Sequence, residues 1–324
     1  MNKLDKSEIK KIARKTILHE AHSIENLASY INDDFAAAVN HIFQCKGRVI
    51  ITGIGKSAII AQKIVATLNS TGTPAIFMHA ADAIHGDLGI VLEDDVVLCI
   101  SKSGSTPEIK VLVPLIKSRG NKLIAMVSNL DSSLARNADF VLRASIKNEA
   151  CPNNLAPTTS TTAQLVIGDA LAICLLNLRG FTTSDFAKVH PGGSLGKKLY
   201  LRVSDLYTNN LAPRVSVEEN VRNTIIEISA KRLGATAVVD SSNNLLGIIT
   251  DGDLRRMMEK NSTIDHLCAS DIMTVSPKSV NPDEMAIKAF QIMEESNITQ
   301  LPVLDDGKYC GIIHLHDIIK EGII

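Results

Sequence analysis

Tryptophan is absent from this 324-residue chain, and aromatic residues make up only 3% of it. Platforms that stack bases or glycans depend on such side chains, so a protein of that kind is disfavoured. A basic excess is also missing, because 34 Lys and Arg residues against 35 Asp and Glu residues give a net charge of -1. Since nucleic-acid binding depends on neutralising phosphates, we expect no nucleic-acid partner.

Patterns typical of disulfide frameworks, secretion signals and membrane spans are missing as well. The six cysteines are scattered without close pairing, which is typical of reduced thiols and predicts a cytoplasmic protein. The first fifteen residues are charged and lack the apolar core of a signal peptide. The longest apolar run, residues 163–178, contains Asp169 and is too short to span a bilayer. We therefore expect no membrane partner.

The chain is long enough for two domains with sizeable cores. Residues 1–45 carry apolar side chains at helical spacing and predict about two helices. Apolar runs then alternate with helical segments up to about residue 200, and this alternation predicts an α/β fold with a doubly wound parallel sheet of five strands. The predicted strands are 48–52, 75–78, 95–100, 122–127 and 140–143, and the predicted helices are 57–69, 107–118 and 160–178.

A polar turn with the sequence SKSGST, residues 101–106, follows the third predicted strand. Pro107 suits the first turn of a helix, so the turn offers unpaired backbone N–H groups at a positive helix end. Its hydroxyl groups surround Gly104, where the backbone can approach a ligand closely. A phosphate is the simplest ligand for such a turn. Ser/Thr-rich turns more often cap helices, so capping is the alternative interpretation.

A second turn, with the sequence GIGKS at residues 53–57, follows the first predicted strand. It is not a Walker A loop, because Ile50 stands where the first Gly would be. With Ala58 it fits the loose dinucleotide pattern G-x-G-x-x-A. The cation of Lys56 and the second anion-binding turn favour a small phosphorylated ligand over a nicotinamide cofactor. Ligands of doubly wound sheets bind at the carboxyl ends of the strands, where both turns lie.

Beyond about residue 203 the sequence repeats itself. The run GIITDGDL at 247–254 matches GIIHLHDI at 311–318, a shift of 64 residues. The two units, 204–262 and 268–324, resemble a tandem pair of CBS domains, α+β units that often bind adenine or other nucleotides. This resemblance implies that Thr250 and Asp253 contact phosphate and ribose in the first unit. Asp317 is the ribose candidate of the second unit, where His314 replaces the usual hydroxyl.

Motifs along the whole chain resemble one enzyme family. The turn at 101–106 is similar to the phosphate loop of SIS (sugar isomerase) domains. A wider set of motifs, followed by two CBS units, resembles the arabinose-5-phosphate isomerases. These motifs are GIGKS at 53–57, STGTP at 70–74, HGDLG at 85–89, EACP at 149–152, LAPTTSTT at 155–162 and HPGGSLG at 190–196. The resemblance implies a SIS domain over 46–200, to which the helices of 1–45 belong.

The implied reaction is the interconversion of D-ribulose 5-phosphate and D-arabinose 5-phosphate through an enediol(ate), the first step toward Kdo for lipopolysaccharide or capsule. A base must remove the proton next to the carbonyl, and an acid/base must move the hydroxyl protons. No cofactor or metal is required if hydrogen-bond donors polarise the carbonyl oxygen. An inhibitory metal site at His85, near His79, Asp82 and Asp87, is left open.

The resemblance implies four catalytic residues. Glu149 is expected to be the proton-abstracting base, and Glu108 to have a hydrogen-bonding or secondary acid/base role. Lys56 is expected to stabilise the oxyanion or phosphate, and His190 to open the sugar ring or carry a proton. The substrate-binding residues implied are Gly55, Ser57, His85, Ser101, Ser103, Gly104, Ser105, Thr106, Thr158 and Ser160.

Two alternative functions stay open. One is a non-catalytic phosphosugar sensor, since SIS domains also occur in transcriptional regulators, and the other is an isomerase of a different phosphosugar. The missing helix-turn-helix domain and the retained Glu149 and His190 favour an enzyme. The resemblance also implies a homotetramer, in which His190 serves the site of a neighbouring subunit, and a nucleotide or nucleotide-sugar ligand for the CBS pair.

Overall fold

The structure is a computed structural model that describes residues 5–260 and 263–323. The chain divides into two compact units, Met1–Phe186 and Ala187–Ile324. The first unit contains the parallel sheet that the sequence predicts, and the second contains the repeat. The helix Thr183–Val189 crosses the boundary between them.

The first unit alternates strands and helices. Its strands are β1 (Val49–Gly53), β2 (Ala75–His79), β3 (Val96–Ser101), β4 (Lys122–Val127) and β5 (Phe140–Arg143). Its helices are α1 (Lys6–Leu27), α2 (Asp33–Gln44), α3 (Lys56–Ser70), α4 (Ala80–Ala83), α5 (Pro107–Ser118), α6 (Ser133–Asn137) and α7 (Thr159–Leu178), and α8 (Thr183–Val189) follows them. Short 3-10 helices cover Ala28–Tyr30 and Asp87–Ile90.

All five strands pair in parallel, in the order β2-β1-β3-β4-β5. This order confirms the predicted doubly wound five-stranded sheet, and no predicted strand end differs from the observed one by more than one residue. The order reverses beside β1, so β1 and β3 are neighbours although β2 lies between them in sequence. In sheets of this kind the crevice at the reversal, at the carboxyl ends of the strands, is where ligands bind.

Side chains of each strand alternate between two hydrophobic cores, as the period of two in a β-strand requires. Val49 and Ile51 of β1 pack in the core formed with α2, α3 and α7, whereas Ile50 packs on the opposite face with α4, α5 and α6. The central strand β3 is buried along its whole length. A sheet that is covered on both faces explains why its strands read as continuous apolar runs.

Helix α7 corrects one expectation from the sequence. It begins at Thr159, four residues before the apolar run, and its 20 residues make it the one helix within 5–260 and 263–323 that is long and apolar enough to cross a membrane. The prediction that this run is too short was therefore wrong. Ile167, Leu171 and Leu175 of α7 are buried in the core of the first unit, and a core helix meets the same criteria of length and composition.

The second unit consists of two similar halves. Its helices are α9 (Ser194–Tyr200), α10 (Ser204–Tyr207), α11 (Val221–Lys231), α12 (Asp251–Lys260), α13 (Ala269–Ile272), α14 (Ala286–Ser296) and α15 (Leu315–Lys320). Its strands are β6 (Arg214–Ser216), β7 (Ala235–Val239), β8 (Leu245–Thr250), β9 (Thr274–Val275), β10 (Gln300–Asp305) and β11 (Lys308–His314). The succession α11-β7-β8-α12 recurs as α14-β10-β11-α15, which agrees with the repeat in the sequence.

The leading segment of each half packs against the other half. Val203 and Leu206, before and within α10, are buried in the core of the second half, and the N–H of Val203 donates to the carbonyl of Glu284 at 2.9 Å. In the same way Ala269 of α13 is buried in the core of the first half, and its N–H donates to the carbonyl of Glu219 at 2.8 Å. The two halves therefore exchange these segments, a feature that the repeat did not reveal.

Candidate active site

The two predicted polar turns lie side by side at the carboxyl edge of the sheet. Gly53, the last residue of β1, is paired with Ile100 of β3, so the turns that follow these strands are neighbours. Gly55 has a φ of 58°, a conformation that favours glycine, and α3 begins directly after it. A cavity of about 300 Å³ lies at this edge, and it is lined by Ile54, Lys56, Ser57, Ile100, Ser101, Lys102, Ser103, Thr106, Pro157, Ser160, Thr161 and Gln164.

The beginning of α7 forms a third wall of the cavity. Gln164 is buried, and its Oε1 accepts a hydrogen bond of 3.2 Å from the hydroxyl of Ser57. This contact joins the turn after β1 to α7. Ser160 also lines the cavity, so one of the two substrate-binding residues predicted near the start of α7 faces it directly. Ser57 and Gln164 are 107 positions apart in sequence, yet both line this cavity.

The hydroxyl groups of the 101–106 turn have different uses. Ser101 Oγ accepts from the N–H of Gly104 at 3.0 Å, and Ser105 Oγ accepts from the N–H of Ser133 at 3.5 Å. These two hydroxyls support the turn itself. Thr106 stands at the N-cap position of α5, yet its hydroxyl makes no capping bond and is buried without a partner in the described part of the chain. A buried hydroxyl in this state is suited to a ligand in the cavity.

Gly104 is required by the geometry of this turn. Its φ is 61°, and a Cβ added there would lie 2.2 Å from Ser132 Oγ. Ser132 in turn caps α6, because its Oγ accepts from the N–H of Ala135 at 3.3 Å. A larger residue would therefore displace both the turn and the start of α6.

Glu149 lies in the loop between β5 and α7, and its carboxylate has no exposed surface. The loop is held in place by hydrogen bonds to its backbone. The N–H of Glu149 donates to Asn154 Oδ1 at 2.7 Å, and the N–H of Ala150 donates to the hydroxyl of Thr159 at 3.0 Å. The side chain is thereby turned toward the start of α7 and toward Lys102.

Five donors surround the Glu149 carboxylate. Oε1 accepts from Lys102 Nζ and from Ser160 Oγ, both at 2.6 Å, and Oε2 accepts from Thr158 N at 2.9 Å, Ser160 N at 3.0 Å and Thr158 Oγ1 at 3.3 Å. Burial by itself raises the pKa of this carboxyl, but the ammonium of Lys102 and the other donors outweigh burial and lower the pKa to about 2. Since Lys102 and Ser160 both line the cavity, the carboxylate borders it through these two side chains.

The other predicted site residues have different positions. Lys56 is exposed and lines the cavity, whereas Glu108 is half-buried in the first turn of α5 and does not line it. His85 is exposed in the loop after α4. His190 belongs to the second unit, where it follows α8, and its carbonyl accepts from the N–H of Gly193 at 3.1 Å. The roles of all these residues stay predictions from the resemblance.

A metal site at His85 gains no support from the geometry. His79 Nδ1 lies 3.4 Å from Asp82 Oδ2. Over residues 5–260 and 263–323, no group of three or more His, Cys, Asp and Glu side chains is arranged to hold a metal ion.

The second unit has a cavity of about 340 Å³ beside Thr250 and Asp253. Asp253 Oδ2 accepts from the hydroxyl of Thr250 at 2.6 Å, and Oδ1 accepts from Arg256 at 2.5 Å. Lys278 also lines this cavity, so its wall carries two cations, one carboxylate and several hydroxyls. Such a wall is suited to an anionic ligand.

The equivalent position in the second half is differently arranged. Asp317 Oδ2 accepts from Asn210 Nδ2 at 2.6 Å and from the N–H of His314 at 3.0 Å. The ring of His314 caps α15, since its Nδ1 accepts from the N–H of His316 at 3.0 Å. His314 therefore has a structural use at the place where a hydroxyl was expected.

Among the cavity-lining residues that sequence reasoning missed, Lys102 and Gln164 hydrogen-bond to side chains of predicted site residues. Lys102 lies within the SKSGST turn, but its ammonium contacts a residue 47 positions away, which no local pattern reveals. Gln164 follows the LAPTTSTT motif at helical spacing, so Ser160 and Gln164, four positions apart, lie on one face of α7. That spacing was the one signal in the sequence that could have identified Gln164.

The fold and the site define a class of protein: a doubly wound α/β domain with a buried carboxylate beside two polar turns at the carboxyl edge of its sheet, followed by a paired α+β module. Family models agree with this description, since the SIS domain matches residues 41–174 and the CBS domain matches 203–260 and 269–323.

Relatives of known name cover almost the whole chain. Arabinose 5-phosphate isomerase KdsD of Yersinia pestis is 45% identical over 314 residues, which make up 96% of this chain and 96% of the relative. KdsD of Pseudomonas aeruginosa has the same identity and coverage. A structure from E. coli CFT073, solved in complex with arabinose 5-phosphate, is 40% identical with a TM-score of 0.57, and the match covers 58% of this chain and 100% of that one. The chain belongs to the arabinose 5-phosphate isomerase family.

Proposed function

We propose that this protein is an aldose–ketose isomerase that interconverts D-ribulose 5-phosphate and D-arabinose 5-phosphate. The observation that carries the proposal is the buried carboxylate of Glu149, linked through Lys102 and Ser160 to a cavity between two phosphate-type turns. Near-full-length relatives with the same named activity support it. The product would supply the precursor of Kdo.

The substrate phosphate is assigned to the turn at 101–106. The N–H groups at the start of α5, the hydroxyl of Thr106 and the cation of Lys56 suit a dianion. Glu149 is assigned as the base that removes the proton from the carbon next to the carbonyl, giving an enediol(ate). Ser160 is a donor close enough to the base to stabilise charge on the substrate oxygens. Glu108 is assigned the hydrogen-bonding or secondary acid/base role.

Ring opening is assigned to His190, acting on the site of a neighbouring subunit in a homotetramer. This assignment rests on the resemblance, and the proposed cytoplasmic location rests on the scattered cysteines. The domain boundaries proposed are 46–200 for the SIS domain, with 1–45 added to it, and 204–262 and 268–324 for the CBS units. Positions 1–4, 261–262 and 324 lie outside the described residues. The cavity beside Thr250 and Asp253 is assigned to a nucleotide or nucleotide-sugar.

The test is to incubate the purified chain with D-ribulose 5-phosphate, with and without EDTA, and to measure D-arabinose 5-phosphate. We expect product in both samples. The Glu149→Gln variant should lose turnover while it still binds the phosphosugar, and retained turnover would remove Glu149 as the base. No product from several pentose and hexose phosphates would instead favour the phosphosugar sensor.

A further inference from the structure

The state of Glu149 in the structure is unfavourable for a general base. A carboxylate offers about four lone-pair positions, and five donors already occupy them. A base works best when its pKa is near the operating pH, whereas the pKa of this carboxyl is lowered to about 2. At least one donor must therefore leave before Glu149 can accept a proton from the substrate.

Lys102 is the donor that can leave most easily. The N–H groups of Thr158 and Ser160 are fixed by the backbone at the start of α7, and the Ser160 side chain is buried. The Lys102 side chain is 43% exposed and carries a flexible four-carbon stem. It also belongs to the turn at 101–106 and lines the cavity assigned to the phosphate.

Among residues 5–260 and 263–323, Lys102 is the one titratable side chain that hydrogen-bonds the Glu149 carboxylate. The nearby contacts of α1 are made to neighbouring residues: His19 Nε2 lies 2.9 Å from the carbonyl of Asn148, and Glu20 accepts from the hydroxyl of Thr162 at 3.2 Å. Cys151 in the same loop has its pKa lowered by backbone N–H groups of its own turn. Lys102 is thus the cation that decides the charge balance around the base.

We infer that Lys102 is a positioning residue whose ammonium group pairs with Glu149 in the free enzyme. When substrate binds, the ammonium group moves away from Glu149 and pairs with the substrate phosphate, which frees Glu149 to act as the base. The phosphate is a dianion and competes with the carboxylate for the same cation. Loss of the ammonium leaves a buried carboxylate with fewer donors, so its affinity for a proton rises only when phosphate is bound. The inference rests on the proposed role of Glu149.

Competition of this kind can be measured without turnover. In isothermal titration of the full chain with inorganic phosphate, Glu149→Gln should bind phosphate about tenfold more tightly than the wild type, because Lys102 is no longer held by the carboxylate. Lys102→Met should bind it about tenfold more weakly, and adding Glu149→Gln to Lys102→Met should change the affinity less than about threefold. Lys147→Met, which removes an exposed cation of the same loop, is the matched control and should bind phosphate like the wild type.

If Glu149→Gln raised phosphate affinity equally in the wild type and in Lys102→Met, the gain would come from removing simple repulsion between the carboxylate and the phosphate. That result would overturn the inference. Unchanged phosphate affinity in Glu149→Gln would overturn it as well, even if Lys102→Met failed to fold. These outcomes do not depend on the isomerase activity. Conversely, turnover retained by Glu149→Gln would refute the role of the base whatever the phosphate affinities are.

A pH profile separates this role from a merely structural one. The substrate phosphate titrates identically in assays of all variants. A difference between variants in the acid limb of kcat/KM therefore reports the ionisation of a group on the enzyme. Without Lys102 the Glu149 carboxyl takes up a proton at higher pH in the free enzyme, and the acid limb of Lys102→Met should move to higher pH. Lys102→Arg, which keeps the cation, should restore the wild-type limb. Superimposable profiles for all three proteins would contradict the inference.

Discussion

The donors around Glu149 predict a measurable contribution of its negative charge to stability. The pKa of a glutamate side chain is 4.5 in the reference state and about 2 here. Each unit of pKa difference corresponds to about 1.4 kcal/mol, so the ionised form stabilises the first unit by at most about 3.5 kcal/mol. The partial exposure of Lys102 reduces this figure, since solvent screens its ion pair. We expect Glu149→Gln to lower the free energy of unfolding by about 2 kcal/mol at pH 7.

The sign of the pH dependence follows from the lowered pKa. A carboxyl of this kind contributes its full stabilisation above its unfolded pKa, and the contribution is lost as the pH falls from 4.5 toward 2. The wild type should therefore lose stability in this range, whereas Glu149→Gln has no such charge to lose. At about pH 4 the difference between the two proteins should be smaller by about 1 kcal/mol than at pH 7.

Hydrogen exchange on peptides from β3 and β4, followed through a urea series, measures the unfolding of the first unit separately. Glu93→Gln is the matched control, since Glu93 is exposed in the same unit, and surface changes of this kind cost less than about 0.5 kcal/mol. Equal effects of Glu149→Gln and Glu93→Gln at pH 7 would refute the reasoning, because the five donors would then not stabilise the charge.

Three further predictions concern single contacts. Thr106→Val removes the unpartnered hydroxyl and should raise KM for the phosphosugar about five- to tenfold with little change in stability, whereas an unchanged KM would exclude Thr106 from the phosphate site. Gly104→Ala places a Cβ against Ser132 at a residue whose φ is 61°, so it should lower the free energy of unfolding in urea by about 2–3 kcal/mol. Arg256→Met should weaken adenine-nucleotide binding at least about tenfold by titration calorimetry, while Arg255→Met should bind like the wild type.

The sequence predicts the first unit well because its signals are local. Strands β1 and β3 are buried on both faces, so each appears in the sequence as a continuous apolar run. The predicted boundaries of both strands are confirmed to within one residue. Short elements such as α4 and α6 were missed because four or five residues carry too little periodicity. The exchange of α10 and α13 between the halves of the second unit was also missed, since it depends on long-range packing and not on the repeat itself.

The turn at 101–106 shows why local patterns do not settle a site. Capping and phosphate binding were posed as alternatives for its hydroxyls, yet the structure divides them: Ser101 and Ser105 hold the backbone, and Thr106 is left without a partner in the described part of the chain. The same turn also supplies Lys102 to Glu149, at a sequence separation of 47 residues. If this turn binds the substrate phosphate as we propose, the phosphate meets the cation that pairs with Glu149. Substrate binding and activation of the proposed base would then be joined at one side chain, and a phosphorylated ligand would be needed for the chemistry as well as for affinity.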